Sequence, residues 1–235
     1  MLTLYCNSIL NQEPRHTQYI QKNLICGSSS LSDEDRTMLT QKGYCFDDQG
    51  DNISHLNKYF GDLTGLYYVW KNTNHEFVGT NQYRRFWNEP ELTRVGLHEK
   101  VLYVSNPMVF DYNMAQQYQD AHGPAGLHIL TSAIQRGKID MTIDTLNKLK
   151  EINYISTCNM FFGHKDVFDK VCSILFPMMF ELYEGSKYSL DFVQPDKQTR
   201  IIAFLAERIL TLLYTEREYY FGKDLFIQSI NWVYK

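Results

Sequence analysis

Apolar residues recur at helical spacing through Phe60, Leu63, Leu66, Tyr67 and Trp70. One face of a 3.6-residue repeat is filled, which predicts a helix over 57–70. A polar run over 72–75 ends it. Over 76–82 the period becomes two: Phe77, Gly79 and Asn81 share one face, and Val78, Thr80 and Gln82 the other, as in a strand. That strand runs into Tyr83-Arg84-Arg85. Residues 2–6 read as a buried first strand with a polar loop over 7–16 after it, and 100–104 and 154–162 as further strands. Helices are expected over 139–149, over 165–180 with Pro177 kinking or ending it, and over 200–214. Ser32 before Asp33-Glu34-Asp35 reads as a helix start. Residues 17–24 fit a short helix or an extended segment, and 112–136 are mixed and broken at Gly123-Pro124. Residues 183–197 read as a polar loop, and no period is clear after 219. Strands alternating with helices predict an α/β layer protein, in which ligands gather beyond the carboxyl ends of strands.

Composition narrows the class. The chain has 235 residues, 44% hydrophobic and 21% charged, so it is globular and suits one domain. A net charge of −4 argues against a nucleic-acid partner bound through a broad basic surface. Cys6, Cys26, Cys45, Cys158 and Cys172 are odd in number, widely spaced and without metal-ligand spacing, which fits reduced thiols in a cytoplasmic protein. No apolar run reaches the roughly 20 residues of a membrane span. The 17 Tyr and 14 Phe mostly serve a core, though aromatic pockets also suit nucleobases and sugar rings.

The candidate chemistry lies in charges set among apolar residues. Arg84 and Arg85 at a strand end are placed to grip a phosphate or carboxylate; structural ion pairing is the other reading. Successive strand residues face opposite ways, so one is expected toward ligand and the other against an acid such as Asp62. Asp62 and Glu207 lie in apolar helical patterns. Each needs a partner, because an unpaired buried carboxylate is costly, and Arg84, Arg85, Arg200 and Arg208 are available. They form either a salt-bridge network or include a general base. Asp47, Asp48 and Asp51 match no calcium loop and read as a solvated acidic turn. Lys71 fits a surface lysine or a phosphate contact.

Several blocks in order resemble the family catalogued as domain of unknown function 4422, glycosyltransferase-like proteins of capsule and surface-polysaccharide loci. The blocks are Asn52-Ile53-Ser54 to Asn57, Asp62-Leu63-Thr64, Tyr67-Tyr68-Val69-Trp70-Lys71-Asn72, Gly79 to Trp87, Asn159-Met160-Phe161-Phe162, Leu175-Phe176-Pro177, and Arg200 with Phe204-Leu205-Ala206-Glu207-Arg208. They cover about 52–213. Gln82 stands where the family has a histidine, Asp62 where it has a glutamate, and Ala203 where it has a glycine.

The resemblance implies a GT-A-like, Rossmann-type mixed sheet flanked by helices, in one domain whose nucleotide-binding part is about 1–110 and acceptor side about 111–235. It implies transfer of a sugar from a nucleotide-sugar, a UDP-sugar first, to a glycan or glycolipid hydroxyl, in the cytoplasm or at the periphery of a membrane-bound assembly. On the donor side it points to Tyr5, Asn7, Lys71, Tyr83, Arg84 and Arg85, on the acceptor side to His122 and Asn159, and for catalysis to Asp62 and Glu207. His122 also fits a surface loop and Asn159 a backbone cap. No Asp-x-Asp stands near Tyr83, so no residue is assigned to a manganese or magnesium ion, and arginines are expected to neutralise the departing diphosphate. The alternative is a catalytically inactive nucleotide- or carbohydrate-binding relative.

Overall fold

The computed structural model describes residues 1–8, 19–190 and 199–234, with side chains for all of these except 187–190. Strands are β1 (Leu2–Ser8), β2 (Ile20–Ile25), β3 (Cys45–Phe46), β4 (Phe77–Gln82), β5 (Arg85–Trp87), β6 (Val101–Ser105), β7 (Met108–Val109), β8 (Tyr154–Ile155), β9 (Phe161–His164), β10 (Phe226–Ile230) and β11 (Trp232–Tyr234). Helices are α1 (Asp33–Gln41), α2 (Asn57–Phe60), α3 (Leu63–Asn72), α4 (Glu89–Val95), α5 (Met114–His122), α6 (Ala125–Gln135), α7 (Ile143–Asn147), α8 (Lys165–Leu190), α9 (Ile201–Thr215) and α10 (Arg217–Phe221).

The main sheet runs β10-β6-β9-β4-β1-β2-β3, and β5 and β11 extend it beside β4. Strands β3, β2, β1 and β4 are parallel, β9 is antiparallel to both β4 and β6, and β10 is parallel to β6. The α/β expectation therefore holds, as a mixed sheet with helices on both faces. β9 and β10 come from the second half of the chain, so both halves build one sheet. Chain order reverses between β1 and β4, because the chain leaves β1 for β2 on one side and returns to β4 on the other. That junction is the switch point where ligands of open α/β sheets bind.

Period two sorts the core. Val78 of β4 and Tyr5 of β1 join the larger cluster beneath α3, α8 and α9, while Phe77, Leu2 and Leu4 join Trp87, Tyr103 and Phe162 on the other face. Gly79 permits close packing here: a Cβ would lie 2.1 Å from Phe162 Cβ.

Several local expectations are corrected. The helix expected over 57–70 is two helices, because Gly61 takes φ 53° and turns the chain between α2 and α3; Asn57 Nδ2 staples the break by donating to Gly61 O at 2.7 Å and to Thr64 Oγ1 at 3.1 Å. Residues 17–24 are extended from Ile20 onward, and 17–18 lie outside the described residues, as does the loop over 7–16 from residue 9 onward. The strand expected over 154–162 is interrupted after Ile155, and Cys158 and Asn159 take left-handed φ of 71° and 50°. Helix α8 continues through Pro177 to Leu190, so 183–190 are helical where a loop was expected, and 191–197 lie outside the described residues. Asp47 is not solvated. Fully buried, it accepts from Gly27 N, Ser28 N, Ser28 Oγ and Ser54 Oγ at 2.6–3.0 Å. Asp48 pairs with Arg36, and Asp51 accepts from Tyr67 Oη at 3.1 Å. Among the described residues no helix is long and apolar enough to cross a membrane.

Candidate active site

At the carboxyl ends of β1 and β4 a cleft is lined by Asn7, Ser8, Gly61, Asp62, Tyr83 and Arg200, among others. Each element delivers its side chain for a local reason. Asn7 and Tyr5 fall on the face of β1 beneath α3; Gly65 lets the helix close over Asn7, since a Cβ there would lie 2.5 Å from Asn7 Oδ1. Gln82 ends β4 on the same face as Val78. The turn at Gly61 leaves Asp62 at the start of α3, half-buried, with its carboxylate directed to the sheet rather than to its own helix end. The first turns of α9 bring Arg200, Ala203 and Glu207 over the same edge.

Asp62 is surrounded by amide donors. Gln82 Nε2 donates to Asp62 Oδ2 and also, at 2.9 Å, to Cys158 O. Asn159 Nδ2 lies 3.3 Å from Asp62 Oδ1 and 3.5 Å from Ala203 O, and Asn7 Nδ2 donates to Asp62 O at 3.3 Å. Glu207 is the second carboxylate. It accepts from Cys158 N at 2.5 Å and from Arg208 Nη1 at 2.8 Å. The two successive left-handed residues thus place a backbone N–H on Glu207 and a side-chain amide on Asp62. Non-glycine residues held in this region cost of order 1 kcal/mol or more each, and here the cost goes into joining the two acids.

The acids influence each other. Burial, and then the neighbouring charge of Glu207, push the Asp62 carboxyl up to about 7, against the opposing pull of the Asn159 amide and Arg200. Burial also raises Glu207, opposed by Arg208, the Cys158 N–H and Arg85. Like charges brought close in a poorly solvated site resist joint ionisation, so the pair favours holding a proton near neutrality. Asn7 Oδ1 and Asn159 Oδ1 are buried without a hydrogen-bond partner. Such orphaned acceptors require explanation in a folded protein, and donor groups of a ligand would satisfy them.

The structure sorts the candidates from the sequence. Asn7, Asp62, Tyr83, Asn159 and Glu207 come together at this edge. Arg84 and Arg85 part company, because Tyr83 and Arg84 form the tight turn between β4 and β5. Arg84 is exposed and lies over the Tyr83 ring. Arg85 does not turn against Asp62: its Nη1 reaches Cys158 Sγ at 2.8 Å, and its guanidinium sits over Trp232 and Tyr234 of β11. Tyr5 is buried with its hydroxyl 3.2 Å from His75 Nε2, directed away from the cleft. Lys71 is exposed at the opposite end of α3, over the Trp70 ring. His122 stacks on Phe204, one turn before Glu207, beside Tyr118, and Tyr118 in turn underlies the Arg208 guanidinium. Gln82, set down in the sequence as the loss of a histidine, is the principal holder of Asp62. Arg200 is an exposed cation at the cleft, its Cδ packed 3.3 Å from where a Gly61 Cβ would be. The signal that could have found both was already in the motif blocks: each stands at a position where a matched block begins or departs.

The family model described as "Domain of unknown function (DUF4422)" matches residues 16–218. The chain belongs to this family. The motif blocks and the family match therefore agree over most of the DUF4422 chain. Its fold is shared with the solved apo structure of WbbM, a bifunctional glycosyltransferase, at a TM-score of 0.75 over 99% of this chain and 17% identity. The DUF4422 chain spans 45% of that protein's length. The GT-A-like expectation for the fold is met. No curated protein sequence matches the DUF4422 chain.

Proposed function

We propose that the chain is a glycosyltransferase moving a sugar from a nucleotide-sugar, a UDP-sugar in the first instance, to a hydroxyl of a growing surface glycan. The observation that carries this reading is the coupled pair Asp62 and Glu207 at the switch point of a glycosyltransferase-like sheet. The acceptor hydroxyl attacks the anomeric carbon, and its proton passes to the Asp62 carboxylate. The bond from that carbon to the diphosphate oxygen breaks, and its electron pair leaves with the diphosphate. A base with a pKa near the working pH is well matched to this task, and Asp62, pushed up to about 7, has that property. Gln82 and Asn159 hold the carboxylate in place; Glu207 raises its proton affinity. Arg200, with Arg84 on the neighbouring turn, supplies positive charge for the leaving diphosphate, and Tyr83 flanks it. Arg85, Tyr5 and Lys71 have no direct part in this reading. His122 and Asn159 lie on the acceptor side.

Among the described residues no three His, Cys, Asp or Glu side chains converge as a metal-ligand set. The reaction is assigned to the cytoplasm, at the face of a membrane-bound acceptor assembly. The test is thermal shift with UDP, GDP, CMP and dTDP and their common sugar conjugates, each with manganese and with chelator. A shift selective for one nucleotide that survives chelator supports the arginine account. A shift that vanishes in chelator overturns that account, and no shift with any nucleotide overturns the transferase reading. Binding without any turnover supports the inactive relative instead.

A further inference from the structure

A second cavity lies on the other side of the segment that joins the acids. It is bounded by the ends of β6 and β10, by β8 and by the later turns of α9, and its walls include Ser105, Ser156, Thr211, Thr215, Tyr154 and Ser229. Its volume, about 120 Å³, is that of about four waters at about 30 Å³ each, so it takes one edge of a sugar ring with the rest at its open mouth. Among the described residues no charged side chain lines it.

The hydroxyls of this cavity share an orientation. Thr211 Oγ1 donates to Glu207 O at 2.7 Å and Thr215 Oγ1 to Thr211 O at 2.8 Å. Ser105 Oγ and Ser156 Oγ lie 3.0 Å apart, with Thr157 O 3.2 Å from the first and Ser105 O 3.4 Å from the second. Of the two serine hydroxyls one donates to the other and the second to a carbonyl, and both threonine protons go to helix carbonyls, so what these four hydroxyls have left for the cavity is lone pairs. A serine or threonine hydroxyl has one proton and two acceptor sites. A wall of this kind selects a ligand rich in donors. Phosphate and carboxylate offer only further acceptors. An ammonium would find no compensating charge. A neutral polyol satisfies the wall, and Tyr154 and Pro107 add apolar surface for a sugar's C–H face.

The cavity is also wired to the acids. Ser156 N donates to Thr211 Oγ1 at 3.1 Å, and two residues on Cys158 N holds Glu207, which itself stands one helical turn before Thr211. We infer that this cavity is a binding subsite for a neutral sugar, placed to hold a residue of the acceptor glycan beside the one that reacts. Its role as an acceptor subsite rests on the transferase reading; its preference for a neutral polyol does not.

The experiment is saturation-transfer NMR with methyl galactoside, methyl glucoside and N-acetylglucosamine as probes, alone and with inorganic phosphate in excess. The variants are Ser229→Trp, which fills the cavity from an exposed position, and Thr215→Val, which removes one acceptor from an exposed rim residue with little change of shape. Saturation of at least one sugar is expected in the wild type, undisturbed by phosphate. The signal is expected to be lost in Ser229→Trp, with about fivefold weaker binding in Thr215→Val, the worth of one hydrogen bond. Nucleotide thermal shifts should be unchanged in both variants. No saturation for any of the sugars, equal saturation in wild type and both variants, or displacement by phosphate would each overturn the inference. Sugar saturation sensitive to both variants, in a protein that shifts with no nucleotide, would sink the transferase reading and support the polyol subsite.

Discussion

Replacing Asp62 with asparagine separates the acid's cost from its use. The carboxyl rises from 3.8 in the open chain to about 7 in the fold. Because the folded state binds this proton more tightly, its contribution favours folding fully below pH 4 and is lost as pH rises through about 7. A difference of roughly three pH units at 1.36 kcal/mol each gives about 4 kcal/mol. Solvent reaching the cleft trims this to an expected fall of about 2–4 kcal/mol between pH 4 and pH 8. Asp62→Asn keeps the shape but places an amide N–H against the donors of Gln82 and Asn159, a pH-independent penalty of about 1 kcal/mol. The variant should therefore be no more stable than wild type at pH 4 and more stable at pH 8. Urea denaturation followed by tryptophan fluorescence, at half-unit intervals of pH, gives the difference directly. Glu207 titrates in the same direction, so the variant-minus-wild-type difference carries the test. A difference that stays flat from pH 4 to 8 would refute the coupled-pair account.

The remaining predictions concern neighbours. Transfer should rise with pH and level off above about 7, and Gln82→Leu, which removes an N–H donor from the ionised Asp62, should move that inflection upward; the pH profile of kcat/KM checks both. Arg200→Ala should raise the donor KM about tenfold, while Lys71→Ala, on the far end of α3, should leave it unchanged. Asp47→Ala should destabilise the protein by about 3 kcal/mol or more, since it strands the buried N–H groups of Gly27 and Ser28 and the hydroxyls of Ser28 and Ser54; thermal or urea denaturation measures it.

The fold was largely legible because its signals are local. The period-two run of β4, the apolar stripe of α9 and the buried run of β1 each declare themselves within ten residues or so. The helix break was not legible, since the apolar stripe from Phe60 to Trp70 crosses Gly61 without a change of period. Asp62 and Glu207 stood out as acids in apolar surroundings. That they would be coupled to each other, through Cys158 and Asn159, depends on strand β9 entering beside β4, a pairing distant in sequence. The surroundings of Arg85 were illegible for the same reason: the aromatic residues that hold it, Trp232 and Tyr234, belong to a strand nearly 150 positions later. Lys71 stands at the end of α3 remote from Asp62 and the Tyr5 hydroxyl turns to His75, neither of which spacing along a helix or strand reveals. Asp47 looked solvated because its partners, at Gly27, Ser28 and Ser54, surround it only after the chain has turned.

The central claim, that Asp62 drives sugar transfer at the β1–β4 switch point, is tested most directly by nucleotide release and product formation from the donor that the thermal-shift panel selects. Wild type and Asp62→Asn would be compared at pH 8 with chelator present. The account predicts turnover by the wild type and a loss of about a hundredfold or more in the variant, with the nucleotide shift retained. Turnover undiminished by Asp62→Asn would contradict it.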